Sequence, residues 1–460
     1  MQDQPNIILI VLDTMRRDYL ECYNPAVKTP NLKKMCEDSV VYLDAIAPSS
    51  WTIPSHASMF TGKFVSNHGI HETHESKRWE DMHEKMKIFK GNTLAEELSA
   101  LGYNTAGITA NSYVGPGTGF DRGFKHMMYN GGITDYLYSK LNDNVIRPIS
   151  LKVRGGRKEI LKKTLSLKAN PIEIFSYYRK YRHLLGRLKE EGFPVRKDGD
   201  NIIRTLKNSS FESPAFFFLN FMEVHEPYKN ILERYGANFR CFMKALFGDL
   251  VFTQKDIEDI RKDYLEESLL LDTYLGDLFS FIKSQGIYDD SLIIVTSDHG
   301  QSLVEHGFFG HGIYLYDELV RVPLIIKYPS RFNRKGFSGG YFNIKDLYSL
   351  ILSFARGEGI VEPISEITFS ETYGLHEDVS GVIDIKDEKY RKMMDEIDSP
   401  RKAVFKKGMK LSVNMKTGSV EEFSVNGKPI EPKQRADDAR ELLNELYLFK
   451  GKESIPQITI

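Results

Sequence analysis

At 460 residues, 41% hydrophobic and 27% charged, the chain has the make-up of a large folded protein, which excludes a disordered or fibrous one. Its three cysteines, Cys22, Cys36 and Cys241, are odd in number and lack metal-type spacing, which argues against a disulfide framework. The net charge of −1 conceals an uneven spread: 16 Lys/Arg against 5 Asp/Glu between Lys140 and Lys197 leave +11 there and −12 elsewhere.

In chain order, "NIILIVL" at residues 6–12 is a continuous apolar run rich in β-branched residues, the pattern of a strand buried on both faces of a parallel sheet. It is too short for a bilayer, ends in Asp13, and lacks a basic leader and a cleavage site. No later run approaches the roughly 18 apolar residues a span needs, so a cytoplasmic protein without a transmembrane segment is expected. Thr29 as N-cap and Pro30 at the first helical position open a helix. "SSWTIPSHASMFTG" at 49–62 places hydroxyls, a proline and a histidine at the start of a short helical pattern. Pro54 suits the first turn, which places Thr52 just outside the helix N-terminus. Thr93 and Glu96 form a capping box, Gly102 ends that helix, and "YNTAGITA" returns to extended structure.

The basic stretch follows as an insertion at about 130–212. It is either a solvated helical excursion or a surface that meets something anionic. "SPAFFFLNFMEVHEPY" (213–228) is a second buried strand, and a long helix is expected from Thr253 to about Gly286. "SLIIVTSDHG" (291–300) and "VPLIIKYP" (322–329) are further strands. Strands alternating with helices predict an α/β fold, a mainly parallel sheet covered by helices on both faces. Beyond about residue 370, "KAVFKKGMKLSVNMKTGSVEEFSV" alternates apolar and polar residues around Lys-Thr-Gly, which predicts antiparallel strands with a tight turn. A terminal helix follows. The expected division is a large domain over 1–373 and a small antiparallel α+β subdomain over 374–460.

In an open parallel sheet, ligands gather at the carboxyl ends of strands. Three such ends carry polar clusters here: Asp13-Thr14, His225-Glu226 and Asp298-His299. Asp13 with the Asp298-His299 pair supplies carboxylate oxygens and an imidazole for one divalent cation. His68, His71 and His74 are spaced at three, but the lack of helical pattern around them favours a polar loop over a metal box.

This combination resembles the sulfatase family of the alkaline phosphatase superfamily. The likeness is carried by "NIILIVLDTMRRDYL", "TPNLKKM", "TIPSHASMFTGKF", "GTGFDRGF", "VHEPY" and "IVTSDHGQSLVEHGFFGHGIYLYDELVRVPLIIKYP". It implies an alkaline phosphatase-like core and phosphate or sulfate ester chemistry at one or two divalent metals. Asp13, Asp298 and His299 fall on the family's metal-ligand positions, and Thr52 falls on the nucleophile position, where it would also touch the metal. Sulfatases proper carry there a cysteine or serine converted to formylglycine, followed by x-Pro-x-Arg. Threonine cannot be so converted, His56 replaces the arginine, and Thr14 stands where many relatives have a second liganding aspartate. These departures point toward relatives with an unmodified threonine, which act on phosphodiesters, phosphonate esters or phosphoryl-group transfers.

The resemblance further implies catalytic roles for His225 and His311 at the transferring group or the leaving oxygen. It places His56, Asn111 and His306 as substrate contacts. A phosphate ester, a diester foremost, is therefore the expected substrate, with a sulfuric ester as the alternative. A non-catalytic polyanion-binding protein is the remote one, since a degenerate site has no need of Asp13, Asp298 and His299 together. A Ser-His-Asp hydrolase is disfavoured because no Gly-x-Ser-x-Gly elbow is present. The oxygen-rich ligand set suits manganese, calcium or magnesium, the imidazole admits zinc, and one site is favoured over two, for which Glu223, His225 and His311 are the supply. The partner expected is an anionic ester, with a polyanionic glycan or lipid headgroup at the basic insertion and no nucleic acid.

Overall fold

The computed structural model describes residues 4–73, 79–130, 197, 199–209, 212–235, 238–375, 387–449 and 458. His74 and almost all of the basic insertion lie outside the described residues. No helix among the described residues is long and apolar enough to cross a membrane.

The large sheet takes β1 (Ile7–Leu12), β2 (Val40–Ile46), β3 (Asn104–Thr109), β4 (His126–Tyr129), β5 (Ala215–Phe221) and β6 (Leu292–Thr296). A short hairpin, β7 (Ser302–Leu303) with β8 (Phe309–Gly310), stands apart from it. The sheet is completed by β9 (Arg321–Val322), β10 (Leu324–Lys327), β11 (Gly336–Asn343) and β12 (Ile364–Ser365). Its strand order is β12-β11-β2-β10-β6-β1-β5-β3-β4, with β9 alongside β2. The central run β6-β1-β5-β3 is parallel throughout, whereas β10 is antiparallel to both β6 and β2. "VPLIIKYP" is thus a strand, but one of reversed direction.

The continuous apolar runs follow from burial on both faces. Ile8, Ile10, Leu12, Phe217, Leu219, Ile293 and Val295 join one core, which includes Leu271, Leu275 and Leu278 of the helix Gln254–Ser284. The alternate residues Ile7, Leu9, Val11, Phe216, Phe218, Leu292 and Ile294 join the other, with Ile53, Ala57 and Phe60 of the helix Thr52–Thr61. Period-two alternation therefore feeds two helical layers from one sheet. The capping boxes at Thr93/Glu96 and Thr253/Asp256 both form. Thr29 does not cap with its side chain; its hydroxyl accepts the Glu21 N–H at 2.9 Å instead.

A second sheet, antiparallel, comprises β13 (Ile367–Thr372), β14 (Arg401–Lys406), β15 (Met409–Asn414), β16 (Val420–Val425) and β17 (Lys428–Pro429). It begins upstream of residue 374, because Ile367–Thr372 pairs with β14 along its whole length. Its two-residue turns are Lys407-Gly408 and Asn426-Gly427, all four residues at positive φ, rather than Lys-Thr-Gly, which lies in the wider link from β15 to β16. The helix Ala436–Leu448 packs Leu442, Leu443 and Leu446 into its core.

One expectation is corrected outright. Cys22 and Cys36 form a disulfide, their Cα atoms 6.7 Å apart. Counting cysteines could not show that the turn before Thr29 folds Cys22 back against the end of the helix Pro30–Cys36.

Candidate active site

The four parallel strands at the sheet centre deliver the site residues from the same edge. Asp13 follows β1, Asn111 follows β3, His225 lies beyond β5, and Asp298-His299 follows β6. The helix Thr52–Thr61 adds the rest. Thr52 is its first residue rather than a flanking one, with Trp51 as an extended N-cap held by a 3.1 Å hydrogen bond from its indole to Glu72. Thr52, Ser55 and His56 stand at i, i+3 and i+4, and so share one helix face. That face meets the end of β6. Thr52 Oγ1 lies 3.3 Å from His299 Nε2, Ser55 Oγ donates to the Asp298 carbonyl at 2.6 Å, and His56 Nδ1 lies 3.3 Å from Asp298 Oδ2. Ser55 is a strut, and Thr52 carries the hydroxyl that faces the cluster.

Asp13, Asp298 and His299 are each fully buried, and one ligand atom from each lies within 4.8 Å of the others. His299 Nδ1 faces the Gly300 carbonyl at 2.9 Å and must donate to it, which turns Nε2 toward the two carboxylates, where it would offer its lone pair to a bound cation. A side chain at Gly300 would collide with the Glu318 carbonyl, its Cβ only 2.0 Å away, so glycine is required for this turn to close.

Asp13 Oδ1 and Asp298 Oδ2 have no hydrogen-bond partner. Burying an ion costs several kcal/mol even after relaxation, so two adjacent buried carboxylates with orphaned oxygens are built for a cation. Burial first, then the charge of Asp298, pushes Asp13 up to about 6. Burial would also raise Asp298, but the imidazoles of His299 and His56 overcome it and hold it at about 2. The donor set fits a divalent ion.

Other expected contacts fall elsewhere. Asn111 donates to Asp13 Oδ2 at 2.6 Å and accepts the Tyr113 N–H at 2.8 Å, so its amide orients a carboxylate. His56 is fully buried beside Phe60, Phe120 and Phe218, with Nδ1 between the Thr52 carbonyl and Asp298, so it braces the site from below. His306 stacks on Tyr316 at 4.1 Å and pairs with Glu318, outside both ligand clusters. His68 takes the Ile70 N–H on Nδ1 and faces Ser58 with Nε2, so both nitrogens are used locally.

His225 and His311 do come together, their ring centroids 5.1 Å apart, and His311 lies 4.6 Å from His299. Glu226 completes this group, not Glu223, which turns away to accept the Gly199 N–H at 2.7 Å. Gln301 was not anticipated. It donates to Glu226 at 2.8 Å and accepts from His311 Nδ1 at 2.7 Å, a bridging role that a glutamine two residues after Asp298-His299 does not announce. Thr14 occupies a left-handed conformation at φ 59° and gives its N–H to Asp298 Oδ1 at 3.4 Å.

This fold and this site define a hydrolase of sulfuric or phosphoric esters, a class that typically works with a divalent metal. The family model named Sulfatase matches residues 5–357, and the chain belongs to that family. It is 23% identical over 397 residues to an N-acetylglucosamine-6-O-sulfatase of Bacteroides thetaiotaomicron, covering 77% of this chain and 68% of the relative. A multifunctional alkaline phosphatase superfamily protein of Trinickia caryophylli is 22% identical, covering 77% of this chain and 74% of its own. In structure the chain is similar to the phosphonate monoester hydrolase of Agrobacterium radiobacter, with a TM-score of 0.60 and 17% identity over 97% of this chain and 94% of that one.

Proposed function

We propose that the chain cleaves an anionic ester with Thr52 as nucleophile. The observation that supports this is the shared helix face: the Thr52 hydroxyl stands 3.3 Å from His299, beside two buried carboxylates with unpartnered oxygens. Asp13, Asp298, His299 and Thr52 would hold a divalent cation, among which manganese, calcium, magnesium and zinc all suit the donors. Bound there, it would stabilise the Thr52 alkoxide and polarise the ester.

Thr52 Oγ1, having lost its proton, forms a bond to sulfur or phosphorus as the bond to the leaving oxygen breaks and the alcohol departs protonated. Water then attacks the same centre, and the Thr52 oxygen leaves and regains its proton. His225 and His311, grouped beside His299, would face the transferring group. Asn111, His56 and Ser55 keep Asp13 and Asp298 in place throughout.

The relatives favour a sulfuric ester as substrate over the phosphodiester expected from the sequence, since sulfatase is the prevailing name among them. The specific observation for a phosphoric ester is Thr52 itself. An ester on an unmodified threonine is resolved only by a second attack at the central atom, which is ordinary phosphoryl chemistry. An anionic glycan fits both readings, and one relative's name specifies a sulfated sugar. The basic insertion would recruit such a polyanion. Reversing several of its charges should raise KM and flatten its salt dependence. The Cys22–Cys36 bond fits an oxidising compartment better than the reducing cytosol expected at first.

The deciding experiment compares p-nitrophenyl sulfate with bis-p-nitrophenyl phosphate and p-nitrophenyl phosphate, each with added metal, for wild type and Thr52→Ala. Dominant sulfate cleavage lost in the variant establishes the sulfuric ester reading, and dominant phosphate cleavage the other. Activity that survives without Thr52 overturns the covalent mechanism for both.

A further inference from the structure

His311 lies in the run Gly310-His311-Gly312, and both glycines take left-handed backbone conformations, at φ 105° and 93°. A histidine between two such residues has little local restraint on where its ring points, so contacts from elsewhere must set its place. Gln301 holds the ring at Nδ1. The main chain is held by the second sheet. Thr372, the last residue of β13, donates its hydroxyl to the Gly312 carbonyl at 2.8 Å, and both residues are buried. Valine would serve as well for packing at this strand position; the hydroxyl adds the bond to Gly312.

The same strand end reaches the segment that delivers Thr52. The Glu371 N–H donates to the Pro48 carbonyl at 2.9 Å. The Tyr373 N–H donates to one oxygen of the fully buried Glu72 at 3.0 Å, and the other oxygen takes the indole N–H of Trp51, the N-cap of the Thr52 helix. Glu371 is itself fixed, with one oxygen 3.1 Å from Lys402 and the other accepting the Ser66 N–H and hydroxyl. Pairing with β14 along the whole of β13 gives these three residues a firm base. They grip both the entry to the Thr52 helix and the loop of His311, and His299 stands between, 3.3 Å from the Thr52 hydroxyl and 4.6 Å from the His311 ring.

We infer that Thr372 is a positioning residue for the reaction: by holding the Gly312 carbonyl it sets His311 against Thr52. The antiparallel subdomain is thereby part of the frame of the cleft rather than an appendage to it. This inference rests on reading the Thr52 cleft as an ester-hydrolase site.

The test uses the full-length protein and whichever of p-nitrophenyl sulfate, p-nitrophenyl phosphate and bis-p-nitrophenyl phosphate it cleaves fastest. Thr372→Val keeps the branched shape and should lower kcat about tenfold, the equivalent of one hydrogen bond. Thr372→Ser gives up a buried methyl and should melt lower in circular dichroism, yet turn over like wild type. Activity then follows the hydroxyl and not the stability, which a merely structural role does not produce. In a His311→Ala background, Thr372→Val should cost nothing further. Wild-type turnover in Thr372→Val overturns the inference, and so does an equal loss in the serine variant or an undiminished loss in the His311→Ala background. Hydrogen–deuterium exchange over residues 308–313 gives a readout without substrate. It should quicken in Thr372→Val and hold its wild-type rate in Thr372→Ser; an unchanged rate in Thr372→Val overturns the tether. A wild type that cleaves none of the three esters sinks the underlying reading of the cleft instead, and exchange alone then decides whether Thr372 holds the loop.

Discussion

Two clusters of ligand-type side chains adjoin at the strand ends, and they are built differently. Asp13, Asp298 and His299 come directly off β1 and β6, are wholly buried, and are braced by His56, Asn111 and Ser55. His225, Glu226 and His311 come from loops and keep about a fifth to a tenth of their side-chain surface exposed; Gln301 bridges Glu226 to His311, and Lys197 holds the His225 carbonyl. Strand ends are fixed by the sheet register on both sides, so the first cluster is as rigid as the core. The second depends on loop geometry.

The largest predicted effect lies where the two clusters meet. Thr52→Ala should reduce ester hydrolysis by about a thousandfold or more, with little change in folding, because its side chain makes one hydrogen bond. Steady-state kinetics and a melting curve check both halves. Next comes the loop cluster. Glu226→Gln should cost about 10- to 100-fold in turnover, the usual penalty for disturbing a metal's surroundings, and leave the melting temperature of the metal-free protein unmoved. A comparable loss of stability would mean that the loop cluster is structural, and the contrast drawn here would fail.

Metal removal separates the clusters thermodynamically. Chelation should lower the melting temperature of wild type by several degrees, since a ligand at a hundred times its dissociation constant contributes about 3 kcal/mol. Asp13→Asn should be inactive yet lose much less on chelation, because the buried carboxylate pair no longer faces itself across an empty space. Asn111→Ala, which frees Asp13 Oδ2, should weaken metal binding about tenfold and show in a metal titration.

Legibility followed the same division. Asp13, Asp298 and His299 could be read from the sequence because each ends an apolar strand, and a parallel sheet lines up its carboxyl ends. The resemblance singled out Thr52, whereas Pro54 suggested a flanking position for what is the first residue of the helix. Glu226 displaced Glu223 as the third member of the loop cluster because the chain turns between them: Lys197 and Gly199 capture the Glu223 region, and no local pattern encodes so distant a contact. Gln301 was invisible for the same reason. For His56 and Asn111 the residue type was legible and the burial was not. The reversed direction of β10 left no mark either, since a strand buried on both faces reads alike in either orientation.

Glu223 gives the finest test of the contrast, because it lies beneath the loop cluster without belonging to it. Burial first raises its carboxyl from 4.5 to about 7, against the opposing pull of the Gly199 N–H and Lys197, and its Oε2 has no hydrogen-bond partner. The folded state thus holds the proton more tightly than the unfolded chain. The stability this confers is fully present below pH 4.5 and is lost as the pH rises through about 7. Glu223→Gln cannot ionise and keeps an acceptor for Gly199. The variant should match wild type near pH 4.5 and exceed it near pH 8 by at most about 3 kcal/mol in denaturant unfolding. A gap that does not widen with pH would show Lys197 neutralising Glu223 in full, and the loop cluster would then stand on an ion pair as firmly fixed as the strand ends beside it.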